Sequence, residues 1–339
     1  MSVRSRLRQL LEWLFFQPAQ PVLAAALRII VAVACMRVLF GPSWNGSPSR
    51  WDLQMRSLAD RDPASWDPTS YLQLLMPSAP DLGLVTMLAV AASISAYLTL
   101  VGLGTRYATI VLAATMLVLL AMTNSWGKVN HGYQMLGIAL LVLPWARSGD
   151  ALSLDALIRR MRGRARPGPS WRYRWPTVIV QFGFATMFFF AGLSKLIESG
   201  LAWAFSENMR NMLVAQNGIW RDWDTAHVIV RVAVEHPLLW QSMAAGALAA
   251  ELAFIAVPFV RDQPWLRRLG LVTGIGLVMG FWLLMQLPNP VLLILLAVFI
   301  DWEGVADRIG RLTHRTPARH GTVQRSLAPR DAHTAAPIA

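Results

Sequence analysis

The stretch Phe188-Phe189-Phe190-Ala191-Gly192-Leu193-Ser194-Lys195-Leu196 ends an apolar run that covers about residues 175–197. Because a helix needs about 20 apolar residues to cross a bilayer, this run predicts a membrane span. Seven further apolar runs lie at about 21–40, 83–103, 107–123, 131–146, 242–260, 269–287 and 290–301. The sequence therefore predicts an all-α, polytopic membrane bundle of about eight transmembrane helices.

The composition also indicates lipid rather than water as the solvent. Hydrophobic residues make up 55% of the 339 residues and charged residues 15%, with a mean hydropathy of +0.42. Soluble domains are about 25% charged. The single cysteine, Cys35, excludes an internal disulfide, and His227 and His236 lack the spacing and the neighbouring Cys or Glu of a metal site. We therefore predict no bound metal.

The arginines are distributed unevenly between alternate loops. If the amino terminus is cytoplasmic, eight crossings place 147–174 inside, and this segment carries eight arginines, whereas the outer loop 41–82 carries three. Since cytoplasmic loops of membrane proteins are enriched in Lys and Arg, we predict that both termini are cytoplasmic. The net charge of +12 follows mostly from this bias. It indicates anionic lipid headgroups as partners, and no nucleic acid.

Three regions are predicted along the chain. Residues 1–18 alternate charge and bulk at helical spacing, which indicates an interfacial amphipathic helix. Residues 19–311 form the predicted transmembrane domain. Residues 312–339 are rich in Arg, His, Thr, Pro and Ala and have little to bury, which predicts a disordered basic cytoplasmic tail.

Lys195 is the first candidate for chemistry. The chain has only two lysines, Lys128 and Lys195, against 29 arginines. Arginine keeps its proton in a protein, whereas a lysine desolvated by apolar neighbours such as Phe188 to Phe190 and Leu196 can become a neutral base. The alternative is a lysine at a helix end whose amine reaches the membrane surface.

His131 is the second candidate. It opens the predicted fourth span and Lys195 closes the fifth, so the two side chains can face one cavity at the same side of the membrane. A lid is predicted above them, because residues 202–213 within the outer loop 198–241 have the apolar spacing of an amphipathic helix. The alternative for His131 is a capping or hydrogen-bonding role at the helix start.

Two charges are predicted inside spans. Arg28 lies about seven residues into the first span and Glu251 near the middle of the sixth. Unpaired charges in the membrane are costly, so we predict that both face the bundle interior and form an intramembrane charge pair. A structural role is favoured for this pair, with a proton path as the alternative.

Three motifs resemble a known family. They are Asn130-His131-Gly132-Tyr133, Leu152-Ser153-Leu154-Asp155-Ala156-Leu157, and Phe190-Ala191-Gly192-Leu193-Ser194-Lys195-Leu196 followed by Trp203. They resemble the membrane core of vitamin K-dependent gamma-glutamyl carboxylase and the bacterial horizontally transferred transmembrane (HTTM) domain proteins. The resemblance extends from about residue 27 to about residue 300. It departs from the carboxylase at Ser194, where the carboxylase has a second lysine, and at Gly132, where it has Ser.

The resemblance implies roles for individual residues. Lys195 would deprotonate a reduced quinone, either vitamin K hydroquinone or menaquinol, and His131 would support oxygenation and epoxidation. Asn130, Tyr133 and Trp203 would be supporting residues. O2 and CO2 would be co-substrates for carboxylation of a peptide or protein glutamate, with no metal needed. The resemblance also implies a multi-pass protein of the bacterial inner membrane, with membrane lipids and quinone as partners.

Two functions follow from these residues. The first is a vitamin K-dependent carboxylase-like enzyme that couples quinol oxidation to oxygenation, with Lys195 as base. The second is a non-catalytic membrane partner for the maturation or export of a secreted peptide. Retention of both His131 and Lys195 favours the first function. The carboxylase holds its protein substrate through a large soluble domain after its membrane core, and the lack of a comparable segment in this sequence is an argument for the second.

The charge bias predicts the membrane orientation directly. Reporter fusions at Arg164 and Gln216 should report opposite sides, with Arg164 in the cytoplasm and Gln216 outside. The measurement is the activity of a fused enzyme that works on only one side of the membrane. Fusions that report the same side would contradict the predicted orientation.

Overall fold

The computed structural model describes residues 2–41, 61–68, 70–126, 131–220, 228–260 and 262–313. In chain order the α-helices are α1 (Val3–Leu11), α2 (Pro21–Phe40), α3 (Ser70–Leu75), α4 (Leu82–Val101), α5 (Thr105–Thr123), α6 (Gln134–Val142), α7 (Leu154–Met161), α8 (Trp175–Ser199), α9 (Ala202–Phe205), α10 (Asn208–Trp220), α11 (Val228–Glu235), α12 (Pro237–Ala253), α13 (Pro264–Met285), α14 (Pro290–Leu295) and α15 (Trp302–Thr313). A π-helical segment, Glu12–Phe16, follows α1. Segments of 3₁₀ helix extend other helices, at His131–Tyr133, Leu143–Trp145, Trp171–Tyr173, Phe254–Val260 and Leu296–Phe299.

The all-α membrane bundle is confirmed, with six long spans. Within the described residues, the segments long and apolar enough to cross a membrane are Pro21–Phe40, Leu82–Val101, Thr105–Thr123, Trp171–Ser199, Pro237–Val260 and Pro264–Met285. The fourth and eighth predicted spans correspond to two shorter apolar helices, Gln134–Trp145 and Pro290–Phe299. At about 1.5 Å per residue these are shorter than the roughly 30 Å hydrocarbon core, so the count of eight is not confirmed.

The helices pack through small residues and expose large apolar ones. Ala89, Ala92 and Ala96 of α4 are fully buried at a spacing of three and four residues, and α4 packs against α2 and α5. This spacing of small side chains permits the close helix contacts found in membranes. On outward faces, Met87 and Leu141 are each 60% exposed. Lipid, rather than water, is the solvent that such faces require.

Arg28 anchors the loop between α6 and α7. Its side chain is fully buried, and its guanidinium donates to the carbonyl of Ser148 at 2.7 Å and to that of Leu152. The predicted charge pair between Arg28 and Glu251 is therefore wrong, although both side chains are buried as expected. Arg28 lies near the end of the bundle where loop carbonyls need donors, and Glu251 has a different partner, described below.

Asp155 caps α5 from the same loop region. Its carboxylate oxygens accept from the backbone N–H groups of Gly104 at 2.9 Å and of Thr105 at 2.8 Å. Partial burial acts to raise the pKa of Asp155, but these hydrogen bonds and the nearby Arg28 guanidinium outweigh it and lower the pKa below its usual value. The motif from Leu152 to Leu157 thus has a structural explanation.

The structure describes the amino-terminal helix α1 but not the residues after Thr313. The chain divides into two compact units, Met1–Glu303 and Gly304–Ala339. Helix α1 buries none of its residues and exposes apolar side chains such as Val3 and Leu7, a surface that suits an interfacial helix. That location stays a prediction. Beyond Thr313 the predicted tail lies outside the described residues.

Asp155→Ala should lower the stability of the folded protein by about 1–3 kcal/mol, because two N–H groups at the start of α5 lose a charged acceptor. The measurement is the thermal unfolding midpoint of the purified protein in detergent. Asp81→Ala is the matched control, because Asp81 caps α4 through only one bond, to Leu84 N–H at 2.7 Å. An equal or smaller loss in Asp155→Ala than in Asp81→Ala would contradict this role.

The same contact predicts a pH dependence. Because the folded-state pKa of Asp155 is lowered, its contribution to stability is present above the unfolded pKa of about 3.9 and is lost as pH falls through the folded pKa. The difference in unfolding midpoint between wild type and Asp155→Ala should therefore be largest near neutral pH. It should shrink below about pH 4.

Candidate functional site

Helices α8 and α12 approach closely at Gly192. A Cβ atom at this position would lie 3.1 Å from Cβ of Glu251 and 3.2 Å from Cγ of Leu252. The missing side chain therefore admits the neighbouring helix. Two ring contacts extend the same antiparallel register, Phe188 with Phe254 at 4.8 Å and Phe182 with Phe259 at 5.3 Å between centroids.

Lys195 and Glu251 form an ion pair across this contact. The Lys195 ammonium nitrogen lies 2.6 Å from both carboxylate oxygens of Glu251. Helical side chains tilt toward the amino end of their helix, so Lys195 reaches back to the level of Gly192, where Glu251 lies. The side chain of Lys195 is 22% exposed and that of Glu251 is 1% exposed. Lys195 is therefore the partly exposed member of the pair, and the carboxylate is covered.

The surroundings of Lys195 differ from the apolar pocket expected from the sequence. A carboxylate and an indole ring contact the amine, whereas Phe188 packs into the main core and Phe190 is 61% exposed. The groups that contact the amine therefore come from α12 and α9, and not from the phenylalanines of α8.

Trp203 covers the ion pair. The Lys195 nitrogen lies 4.5 Å from the centroid of the Trp203 ring, within the range of a cation–π contact, and Trp203 is only 8% exposed. The chain reverses between α8 and α9 at Gly200, whose φ of +58° and ψ of −150° lie in a region open essentially to glycine. This turn brings Trp203 back over the end of α8.

A second apolar cluster lies around Trp203. It joins residues 201–220 and 228–235 to α12 and the end of α13, and its buried members are Trp203, Ala204, Met209, Leu213, Val230, Ala233, Val234, Trp240, Ala244, Leu248 and Met285. The helix predicted over 202–213 is instead two helices, because Ser206 is extended between α9 and α10. Residues 201–220 and 228–235 pack against α12 and α13, and their function as a lid stays a prediction.

The remaining predicted site residues lie in or near the turn that precedes α6. His131 begins that turn, and Tyr133 ends it and packs against the main core. Helix α6 packs against α8, the helix that carries Lys195. Asn130 and Lys128 lie outside the described residues. The described structure therefore brings together Lys195, Glu251 and Trp203, and it does not test the predicted roles of His131 and Asn130.

An apolar cavity lies along α12, the helix that carries Glu251. It has a volume of about 340 Å³ and lies between α10, α12 and α13. Its walls include Met243, Ala247 and Ala250 on α12, with Gly276 and Gly280 on α13. Ala250 immediately precedes Glu251, so the cavity lies on the neighbouring face of the helix that holds the carboxylate. An apolar ligand with one polar group is the kind of molecule that fits such walls.

The fold and the site define a multi-pass helical membrane protein with an amine–carboxylate pair inside its bundle. The HTTM domain family model matches residues 29–263, and the chain belongs to this family. The HTTM domain is the membrane core of the vitamin K-dependent carboxylase family. The matched segment includes Lys195, Trp203 and Glu251. No curated protein and no solved structure matches the chain.

Trp203→Ala should increase the labelling rate of Lys195 by a bulky, water-soluble amine reagent. Loss of a cation–π contact of about 1 kcal/mol corresponds to about fivefold. Mass spectrometry of peptides from the folded protein separates this lysine from Lys128, the only other one in the sequence. Trp240→Ala is the matched control, because it removes a buried indole from the same apolar cluster. Equal acceleration by both substitutions would indicate general loosening and not a cover over Lys195.

Proposed function

We propose that this protein is a quinol-dependent, oxygenating membrane enzyme in which Lys195 acts as the base. The observation that carries the proposal is the asymmetry of the ion pair. The side chain of Lys195 is 22% exposed, whereas that of Glu251, at 1%, is covered by protein. In such a pair the substrate contacts Lys195. The buried carboxylate of Glu251 accepts a proton from the lysine or returns one to it.

The pair provides a route to a neutral amine. Transfer of one proton from Lys195 to Glu251, along the 2.6 Å contact, yields a neutral amine and a neutral acid. Two neutral groups cost less to hold in a low-dielectric interior than two separated charges, so apolar surroundings lower the cost of this transfer. We therefore propose that Glu251, and not packing by phenylalanines, allows Lys195 to become neutral.

The residues present fit a reduced quinone. Vitamin K hydroquinone or menaquinol, when bound, would supply an acidic hydroxyl and the electrons that reduce oxygen. Lys195 would accept the proton of that hydroxyl, and Trp203 would limit the access of water to the amine. The apolar cavity along α12, the helix that carries Glu251, suits the hydrocarbon part of such a molecule.

Carboxylation is the further step that the family relationship favours. In that reaction O2 and CO2 are co-substrates and the substrate is a glutamate in a peptide or protein. His131 is proposed to support the oxygenation and epoxidation step, with Asn130 and Tyr133 as supporting residues. We further propose that the protein lies in the bacterial inner membrane with both termini in the cytoplasm, in agreement with the distribution of arginines.

One observation favours the second candidate function. Lys195 joins three helices, since it lies on α8, pairs with Glu251 of α12 and lies under Trp203 of α9. A lysine that only holds helices together suits a non-catalytic membrane partner for the maturation or export of a secreted peptide. The two functions differ in one requirement: a structural cation can be permanently charged, whereas a base must lose its proton.

Lys195→Arg should leave the protein folded and abolish quinol oxidation, lowering the rate by about 100-fold or more. The guanidinium keeps the positive charge and the cation–π partner, but it does not become a neutral base. The measurement is quinol consumption by purified protein in lipid vesicles, with the thermal unfolding midpoint as the test of folding. His131→Ala should lower the same rate less.

The matched control is Lys128→Arg, which makes the same chemical change at the other lysine and should retain activity. Glu251→Gln is a second test of the two functions, because it removes the proton acceptor without changing the size of the side chain. If Lys195→Arg oxidises quinol at the wild-type rate, Lys195 is a structural cation. The non-catalytic function is then favoured.

A further inference from the structure

Helix α7 ends in a turn that folds a basic segment back along it. Ser153 caps the start of the helix by accepting from the N–H of Ala156 at 2.9 Å. At the other end Gly163 has a φ of +70°, its N–H donates to Arg160 O at 3.0 Å, and the N–H of Arg164 donates to Arg159 O at 3.1 Å. This pair of bonds is a Schellman motif. It returns residues 164–167 toward the residues that precede it.

The return segment closes a pocket with four arginines. The pocket has a volume of about 490 Å³, and its walls are α7, residues 164–167 and the start of α2 at Gln20 to Val22. The wall of α2 is held beside the return segment by two backbone hydrogen bonds between Ala19 and Ser170, of 2.9 and 3.2 Å. The lining arginines are Arg159, Arg160, Arg164 and Arg166.

Three of these arginines lack a counterion within the described part of the chain. Arg159 pairs with Asp150 at 2.9 Å, and Asp150 also contacts Arg147 and the hydroxyl of Tyr173. Asp150 is the only carboxylate that lines the pocket, and its acceptors are therefore shared already. The side chains of the lining residues Arg160, Arg164 and Arg166 make no ion pair or hydrogen bond with the described residues. A positively charged concave surface of this kind favours an anion with several oxygen acceptors.

An exposed apolar stripe on α7 continues into the pocket. Leu154, Leu157, Ile158 and Met161 are spaced as one face of a helix, and they are between 37% and 79% exposed. Helix α7 lies in the chain between the apolar helix α6 and the span of α8, so it lies close to the membrane boundary. An apolar stripe with neighbouring basic residues is typical of a helix in the headgroup region. Leu157 belongs both to this stripe and to the pocket lining.

We infer that this pocket binds the phosphate headgroup of an anionic glycerophospholipid. Arg160, Arg164 and Arg166 receive the phosphate oxygens, and the acyl chains lie against the stripe that includes Leu157. Phosphate alone would satisfy the arginines but would leave the adjoining stripe uncovered. An anionic lipid satisfies both surfaces, and basic pockets beside membrane helices bind such headgroups in other membrane proteins. The inference is independent of the proposed reaction at Lys195.

The test is lipid binding by the full chain. Purified protein in a neutral detergent is titrated with phosphatidylglycerol or phosphatidylcholine, and retained lipid is measured by native mass spectrometry. Wild type should retain phosphatidylglycerol preferentially. Arg160→Gln/Arg164→Gln should weaken phosphatidylglycerol binding by about tenfold or more. Arg4→Gln/Arg6→Gln is the matched control, because it removes two positive charges from α1, which does not line the pocket, and it should change binding by less than about twofold.

A second measurement uses the wild-type protein and so does not depend on the folding of a variant. Amide hydrogen exchange of residues 156–167 should slow on addition of phosphatidylglycerol and stay unchanged with phosphatidylcholine. Equal weakening in both arginine pairs would mean that surface charge alone attracts the lipid, and it would overturn the inference. The inference also fails if inorganic phosphate protects these amides as well as the lipid does, or if neither lipid changes their exchange.

Discussion

The ion pair between Lys195 and Glu251 is the constraint on which the arrangement of this bundle depends. Breaking a fully buried pair by removing one partner costs about 3–5 kcal/mol, and the cost here is smaller because Lys195 is 22% exposed. The pair needs a close approach of α8 and α12, and Gly192 permits that approach. It also needs a cover, and the turn at Gly200 places Trp203 above the amine. Two glycines and one indole ring thus support a single pair of charges.

The structure gives Arg28 and Lys195, two cations that lie within spans, different partners. Arg28 is bonded to carbonyls of the loop after α6, and Lys195 to a carboxylate on α12. The first arrangement fits a guanidinium, whose fixed donors match two carbonyls and whose proton is permanent. The second fits an amine beside a group that can accept its proton. The residue types therefore agree with a structural role for Arg28 and a chemical role for Lys195.

The sequence predicted the six long apolar spans and made Lys195 a candidate for chemistry, but it did not predict the partner of that lysine. Hydropathy places spans well because every backbone group in lipid must be bonded within a helix. Hydropathy does not determine how far one packed helix is shifted along the axis of another. Counted from the ends of the apolar runs, Glu251 is at the depth of Arg28. Contacts such as Phe182 with Phe259 shift α12 along α8 and bring Glu251 to Lys195 instead. Short helices such as α6 also look like spans when only apolar length is counted.

The extent of the family match separates two parts of the site. The matched segment ends at residue 263, immediately before α13 begins at Pro264. It includes Lys195, Trp203 and Glu251, so the charged centre lies wholly within the part of the chain that defines the family. One wall of the apolar cavity, formed by Gly276 and Gly280, lies outside it. A chemistry shared across the family would reside in the charged centre. Selection among apolar ligands would then depend on α13, where a change in side-chain size alters the cavity without touching the ion pair.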